Sequence, residues 1–146
     1  MPLNLEFFFK PNVIAVIGAS NKKGKVGNSV IMNLKDRHGE SEIVCINPKE
    51  KEIEGFTCYP SILDVPSDVD LAIMCIPARF ILDVVDECGK KKVRGIVVIT
   101  AGFKEIGSKG QALEKKLVEK CQEYGIRMQG PNCLGIISLH HNSSFA

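Results

Sequence analysis

The run Val13-Ile-Ala-Val-Ile17, which breaks into Gly18-Ala19-Ser20 and a short polar loop, constrains this fold more than any other stretch. Five apolar residues, mostly β-branched, with no polar alternation predict a strand buried on both faces, as a central parallel strand is. The small residues after it allow backbone N–H groups to come close to a ligand. The helical pattern that follows offers an N-terminus suited to an anion. The chain therefore carries the makings of a phosphate-cradling turn.

The remaining pattern alternates strand with helix. Val26, Val30, Ile31 and Leu34 recur at helical spacing, and His38-Gly39 supplies a C-terminal stop, with His38 suited to the helix dipole. Ile43–Ile46 reads as a second buried strand ended by Asn47-Pro48-Lys49. Residues 50–68 form a connection with a short strand at Phe56–Tyr59 and one helical turn at Ser61–Asp64. Leu71–Ile76 is the next strand, broken by Pro77, and Ile81, Val84, Val85 and Cys88 mark a short helix. Val93–Thr100 is a further strand, followed by a helix with Leu113, Leu117, Val118 and Cys121 on its apolar face. Gly125–Gly130 predicts a last short parallel strand, and residues 134–138 an edge strand. Residues 1–12 read as a lead-in whose Phe7, Phe8 and Phe9 pack on the domain edge. The predicted class is α/β: a single Rossmann-like, three-layer domain over 1–146 with a mainly parallel twisted sheet and right-handed crossovers.

Several function classes recede on composition. The 146 residues suit one domain with a real core. A net charge of +2 is too weak to suggest a nucleic-acid partner. No apolar run approaches the roughly 20 residues of a membrane span, and the first residues lack a signal-peptide pattern, so the cytoplasm is expected. The six cysteines are scattered with no Cys-x-x-Cys pair, which argues against a disulfide framework and against zinc. Lys90-Lys91-Lys92 and Arg94 read as a solvated turn.

In parallel sheets ligands lie across the carboxyl ends of the strands, where strand order reverses. This chain places Gly18-Ala19-Ser20, Ile76-Pro77-Ala78, Thr100-Ala101-Gly102 and Gly130-Pro131-Asn132-Cys133 at those ends. Any one of them is ordinary turn punctuation; four together describe a crevice lined by main chain. The glycine spacing is not G-x-G-x-x-G, and no carboxylate follows the second strand to hold a ribose, so plain NAD is disfavoured. Lys49 just past that strand favours an extra phosphate, as NADP and coenzyme A both carry. Lys22, Lys23 and Lys25 add charge to the first loop, with Lys25 favoured as a phosphate contact.

Taken in order, Val-Ile-Gly-Ala-Ser20, Asn47-Pro-Lys49, Ile76-Pro-Ala78, Thr100-Ala-Gly-Phe-Lys-Glu105 and Gly130-Pro-Asn-Cys-Leu-Gly135 resemble the N-terminal CoA-binding domain of ADP-forming acyl-CoA synthetases. These are relatives of the succinyl-CoA ligase α subunit. The resemblance runs from about Phe7 to Ala146, and Leu134, where succinyl-CoA ligases usually have proline, points to the acetate type. It implies that Gly18, Ala19, Ser20 and the loop through Lys25 to Gly27 receive the CoA diphosphate, and that Lys49 meets a phosphate or the nucleotide. It implies also that Ile76, Pro77 and Ala78 line the channel. Thr100, Ala101 and Gly102 flank the pantetheine arm, and Asn132 and Cys133 approach the thiol. No catalytic and no metal-binding residue follows from it. Cys133 reads as a pocket-lining thiol able to form a mixed disulfide with CoA on oxidation. The family's phosphohistidine and ATP-grasp domains have no counterpart here, and residues 139–146 read as the start of a connection to a further domain. His140 and His141 do not read as the phosphohistidine. Free-standing CoA sensors, CoA-binding modules fused to acetyltransferases and NADP-binding oxidoreductase domains are the competing readings.

Overall fold

β1 (Val13–Ile17) is buried along its whole length, and the rest of the sheet is assembled outward from it. The computed structural model describes residues 3–140 and 143–145. β1 leads into α1 (Val26–Arg37), β2 (Glu42–Ile46), β3 (Glu52–Ile53) and β4 (Phe56–Tyr59). The chain then crosses to the other side of β1 and forms β5 (Leu71–Met74), α2 (Ile81–Lys90), β6 (Gly95–Val98), α3 (Ser108–Tyr124) and β7 (Arg127–Gln129). The strand order is β3-β4-β2-β1-β5-β6-β7, with β3 alone antiparallel. The order in which successive strands are added therefore reverses between β1 and β5, where an open α/β sheet presents its crevice. Among the described residues no helix is long and apolar enough to cross a membrane.

Alternation along the strands divides the core between the two faces of the sheet. Ile14, Val16, Cys45, Leu71, Ile73 and Val97 face α1, whose Val30, Ile31 and Leu34 cover them together with Phe7 and Phe8. Ala15, Ile17, Val44, Ala72, Met74, Ile96 and Val98 face α2 and α3, which supply Ile81, Val85, Cys88, Leu117 and Cys121. Each fully buried Ile or Leu contributes about 1.5–3 kcal/mol relative to exposure. The sheet and its faces thus match the sequence-based expectation.

The structure differs from that expectation at several points. Val26 is 52% exposed, because it opens α1 on the side away from the sheet. Val118 is 37% exposed and lines a surface groove near β7 instead of joining the core. Phe7 and Phe8 are buried in the core instead of capping its edge; the space above Gly95, where a Cβ would meet the Phe7 ring at 2.5 Å, is what admits them. β8 (Ile136–Ser138) joins no edge of the main sheet; it pairs antiparallel with β9 (Ser143–Phe145). Lys91 donates to the Val65 carbonyl, and Arg94 pairs with Asp70 at 3.8 Å while lying 4.9 Å over the Phe7 ring, so this turn is not merely solvated. His38 lies at the C-cap of α1, with Nδ1 2.8 Å from the Ser41 carbonyl oxygen. His140 lies in the turn after β8 and is exposed; His141 lies outside the described residues.

The loop after β6 is held by Glu105. Its Oε1 accepts from the N–H of Gly102 and from that of Phe103, the latter at 3.0 Å. These amides, Gly102 first, hold the exposed carboxyl below its ordinary value. A lowered folded-state pKa means the contribution is present above the ordinary carboxylate range and is lost as pH falls through the folded value. Glu105→Gln is therefore expected to lower the melting temperature near pH 7, with the gap from wild type closing as the pH is taken down through the carboxylate range. A gap that stays constant with pH would show that the charge of Glu105 plays no part.

Candidate functional site

The geometry begins at Gly18, which adopts φ +85°. A Cβ there would lie 2.5 Å from the Cys75 carbonyl oxygen, so both space and conformation require glycine. At Gly27, in the first turn of α1, a Cβ would lie 1.9 Å from the Gly18 carbonyl oxygen. The helix therefore sits directly on the β1 turn, and no side chain caps its N-terminus at Lys25. Ala19 is 1% exposed, so beyond Gly18 a ligand can meet this turn only from Ser20 onward. The N–H groups of Ser20 and Asn21 have no hydrogen-bond partner among the described residues.

The other strand ends join this turn in one continuous edge. Thr100 Oγ1 donates to the Ile76 carbonyl at 2.7 Å, tying the end of β6 to the loop after β5. A Cβ on Gly102 would meet the Ala78 side chain at 3.3 Å. The Asn132 N–H donates to the Thr100 carbonyl at 3.0 Å, with Asn132 itself at φ +54°. The Cys133 thiol is half-buried and lies 3.4 Å from the Val98 carbonyl oxygen. Gly18–Ser20, Ile76–Ala78, Thr100–Gly102 and Asn132–Cys133 are thus brought to one edge of the sheet.

Behind the edge, on the α2 side, lies a cavity of about 330 Å3 lined by Ile17, Gly18, Ile46, Asn47, Pro48 and Ile76, and closed by Ile62, Phe80 and Val84. Asp83 and Glu87 bring carboxylates to its wall, Glu87 accepting from Ser61 Oγ at 2.6 Å. The size and apolar walls suit a flat ring, and the carboxylates disfavour phosphate inside it. Sequence reasoning missed this cavity's far wall, because Pro60, Ile62, Phe80 and Val84 come from a connection and a helix start with no motif of their own.

The lysines stand apart from the cavity. Lys49 and Lys25 are exposed and do not line it. The Lys49 N–H is fixed by Asn47 Oδ1 at 2.8 Å, and among the described residues neither side chain has an ion pair. Both cations are therefore available to a ligand along the rim, at no cost in a broken pair.

Burial pushes the Cys45 and Cys75 thiols up to about 12 and Cys121 to about 11, and raises Cys88 as well. These thiols are protonated at neutral pH and unreactive. Among the described residues no group of His, Cys, Asp and Glu is placed to hold a metal ion.

Comparison with known proteins places this geometry. The family described as CoA binding domain matches residues 12–138. ADP-forming acetate–CoA ligase I of Archaeoglobus fulgidus is 52% identical over 134 residues, 92% of this chain and 19% of that protein. The α subunit of ADP-forming acetate–CoA ligase II of Pyrococcus furiosus is 46% identical, over 94% of this chain and 30% of its own. A solved structure of dinucleotide forming acetyl-coenzyme A synthetase 1 from Ca. Korarchaeum cryptofilum, in complex with phosphate and ADP, superposes with a TM-score of 0.92 at 39% identity. It covers 97% of this chain and 30% of that one. The chain thus spans between a fifth and a third of the length of these relatives. With a matched family across most of its residues and a shared mostly parallel sheet, this chain belongs to the CoA-binding domain family and is homologous to the corresponding part of the ADP-forming acetate–CoA ligases.

Proposed function

We propose that this chain binds CoA along the carboxyl edge of its sheet. It does so as the CoA-binding part of an ADP-forming acyl-CoA synthetase, an acid–thiol ligase interconverting acyl-CoA, ADP and phosphate with carboxylic acid, CoA and ATP. The observation that carries the reading is the pairing of unpartnered amides at Ser20 and Asn21 with an apolar cavity on one side and, on the other, the strand ends that Thr100 Oγ1 ties to the Ile76 carbonyl. CoA has that same division: a flat purine, a charged middle and a long uncharged arm.

In this reading the adenine enters the 330 Å3 cavity between Ile46, Ile62 and Phe80. The diphosphate rests on the amides after Ala19 and on the uncapped start of α1, where the helix dipole favours negative charge. Lys49 meets the 3′-phosphate and Lys25 adds positive charge at the diphosphate. The pantetheine arm passes Ile76, Pro77 and Ala78, then Thr100, Ala101 and Gly102, and its thiol reaches Asn132 and Cys133. Acyl-phosphate chemistry, phosphohistidine transfer and nucleotide binding belong to further domains or subunits of the ligase, in a cytoplasmic setting. Alone, this chain binds substrate and catalyses no turnover.

Titration with CoA is expected to raise the melting temperature. A ligand at 100 times its dissociation constant stabilises by about 2.7 kcal/mol. NADP at the same concentration is expected to do much less. An unmoved transition with CoA, or a larger shift with NADP, would contradict the reading. Lys49→Gln is expected to weaken CoA by about tenfold, the scale of one charge-assisted bond, and dephospho-CoA far less. Equal loss for both would move Lys49 away from the 3′-phosphate.

A further inference from the structure

We infer that Asn28 and Asn47 are positioning residues that aim the ligand-binding amides of the β1 turn, an inference that rests on the reading of CoA binding above. Asn28 is the one polar residue that is buried among those described, at 6% exposure, and its Nδ2 donates to the Ser20 carbonyl at 2.9 Å. Asn47, at the end of β2, donates through Nδ2 to the Ala19 carbonyl, also at 2.9 Å. Two successive carbonyls are thus held from two different elements, one from α1 and one from the far side of the turn.

The consequence follows from the planarity of the peptide group. In a trans peptide the carbonyl and the next N–H point in opposite directions, and both peptides here are trans, the only cis bond among the described residues being Gly130–Pro131. Holding the Ala19 carbonyl toward Asn47 therefore turns the Ser20 N–H away from Asn47. Holding the Ser20 carbonyl toward Asn28 turns the Asn21 N–H away from Asn28. Both of those amides are without a protein partner among the described residues, as are those of Ala19, Lys23 and Gly24 beside them. The neighbouring Lys22 N–H is already taken by Ser20 Oγ at 3.0 Å, so the loop beyond is fixed as well. A turn this short has little else to stop its peptides from flipping, and a flipped peptide would present an oxygen to the diphosphate.

Asn47 also separates its two halves. Its Oδ1 accepts from the N–H of Lys49 at 2.8 Å and of Glu50 at 3.3 Å, which shapes the loop after β2. Asn47→Asp keeps that acceptor and removes only the donor to Ala19. Asn28→Ala removes the other donor and introduces no charge, so the two variants together distinguish the lost donor from the added carboxylate.

The test compares CoA with pantetheine, which lacks both the diphosphate and the adenosine 3′-phosphate, by titration of the wild type and both variants; Asn28 lies outside the adenine cavity, and the Ser20 and Asn21 amides are followed by 15N NMR. Both variants are expected to lose about tenfold or more in CoA affinity, while pantetheine changes less than about twofold. In the wild type the two amide resonances shift on adding CoA; in the variants that shift shrinks. A role confined to holding the fold would weaken both ligands by the same factor, and that result overturns the inference while leaving CoA binding intact. Unchanged CoA affinity in both variants overturns it too. A wild type that takes no CoA overturns the reading it rests on and the inference with it. If Asn28→Ala fails to fold, Asn47→Ala, which also adds no charge, is read beside Asn47→Asp with the same two ligands, by the ratio of losses and the shift at Ser20.

Discussion

The close approach of main chain to main chain around Gly18 is the constraint on which this structure depends. Gly18 lies against Cys75 on one side, Gly27 of α1 lies against Gly18 on the other, and neither gap admits a Cβ. Because α1 rests directly on the turn, its uncapped N-terminus follows the short segment that carries the unpartnered amides of Ser20 and Asn21. A β-branched residue at position 18 would meet Cys75 and would be held at a φ that L side chains rarely adopt. Helix, turn and strand β5 would have to separate together.

The rest of the sheet serves that contact by burying it. β1 has parallel neighbours on both sides and helices over both faces, so its end is fixed by packing and not by the loop itself. The same frame fixes the other strand ends, and hydrogen bonds from Thr100 and Asn132 then tie them to one another. The polar work at the site is done by main chain and by a few amides, which suits a long ligand that is charged only in its middle. The buried thiols of Cys45, Cys88 and Cys121 and the half-buried thiol of Cys75, all held protonated, behave as small hydrophobes in this frame.

The sequence was most readable where one physical signal acts alone. The unbroken apolar runs of β1, β2, β5 and β6 follow directly from burial on two faces, and the strand ends followed from them. Signals that mix were harder. Val26 fits the helical period of α1 but opens the helix, where the period no longer implies burial. β3 is two residues long and sits in a charged run, so it carries no periodicity to detect. The apolar pattern of residues 136–138 shows a strand but not which sheet it joins, and it pairs with β9. Asn28 looks like an ordinary surface polar residue in the chain, and Asn47 stood out only as part of the Asn47-Pro-Lys49 motif, because what marks both is a bond to a carbonyl 8 or 28 positions away. The far wall of the cavity was hidden for the same reason: it is made by residues distant in sequence that carry no motif.

A crystal structure of this protein with CoA bound tests the account most directly. It should show diphosphate oxygens within about 2.7–3.2 Å of the Ser20 and Asn21 nitrogens, with the pantetheine arm running over Thr100–Gly102 toward Cys133. A complex in which those two amides face solvent while the diphosphate is held elsewhere would contradict it.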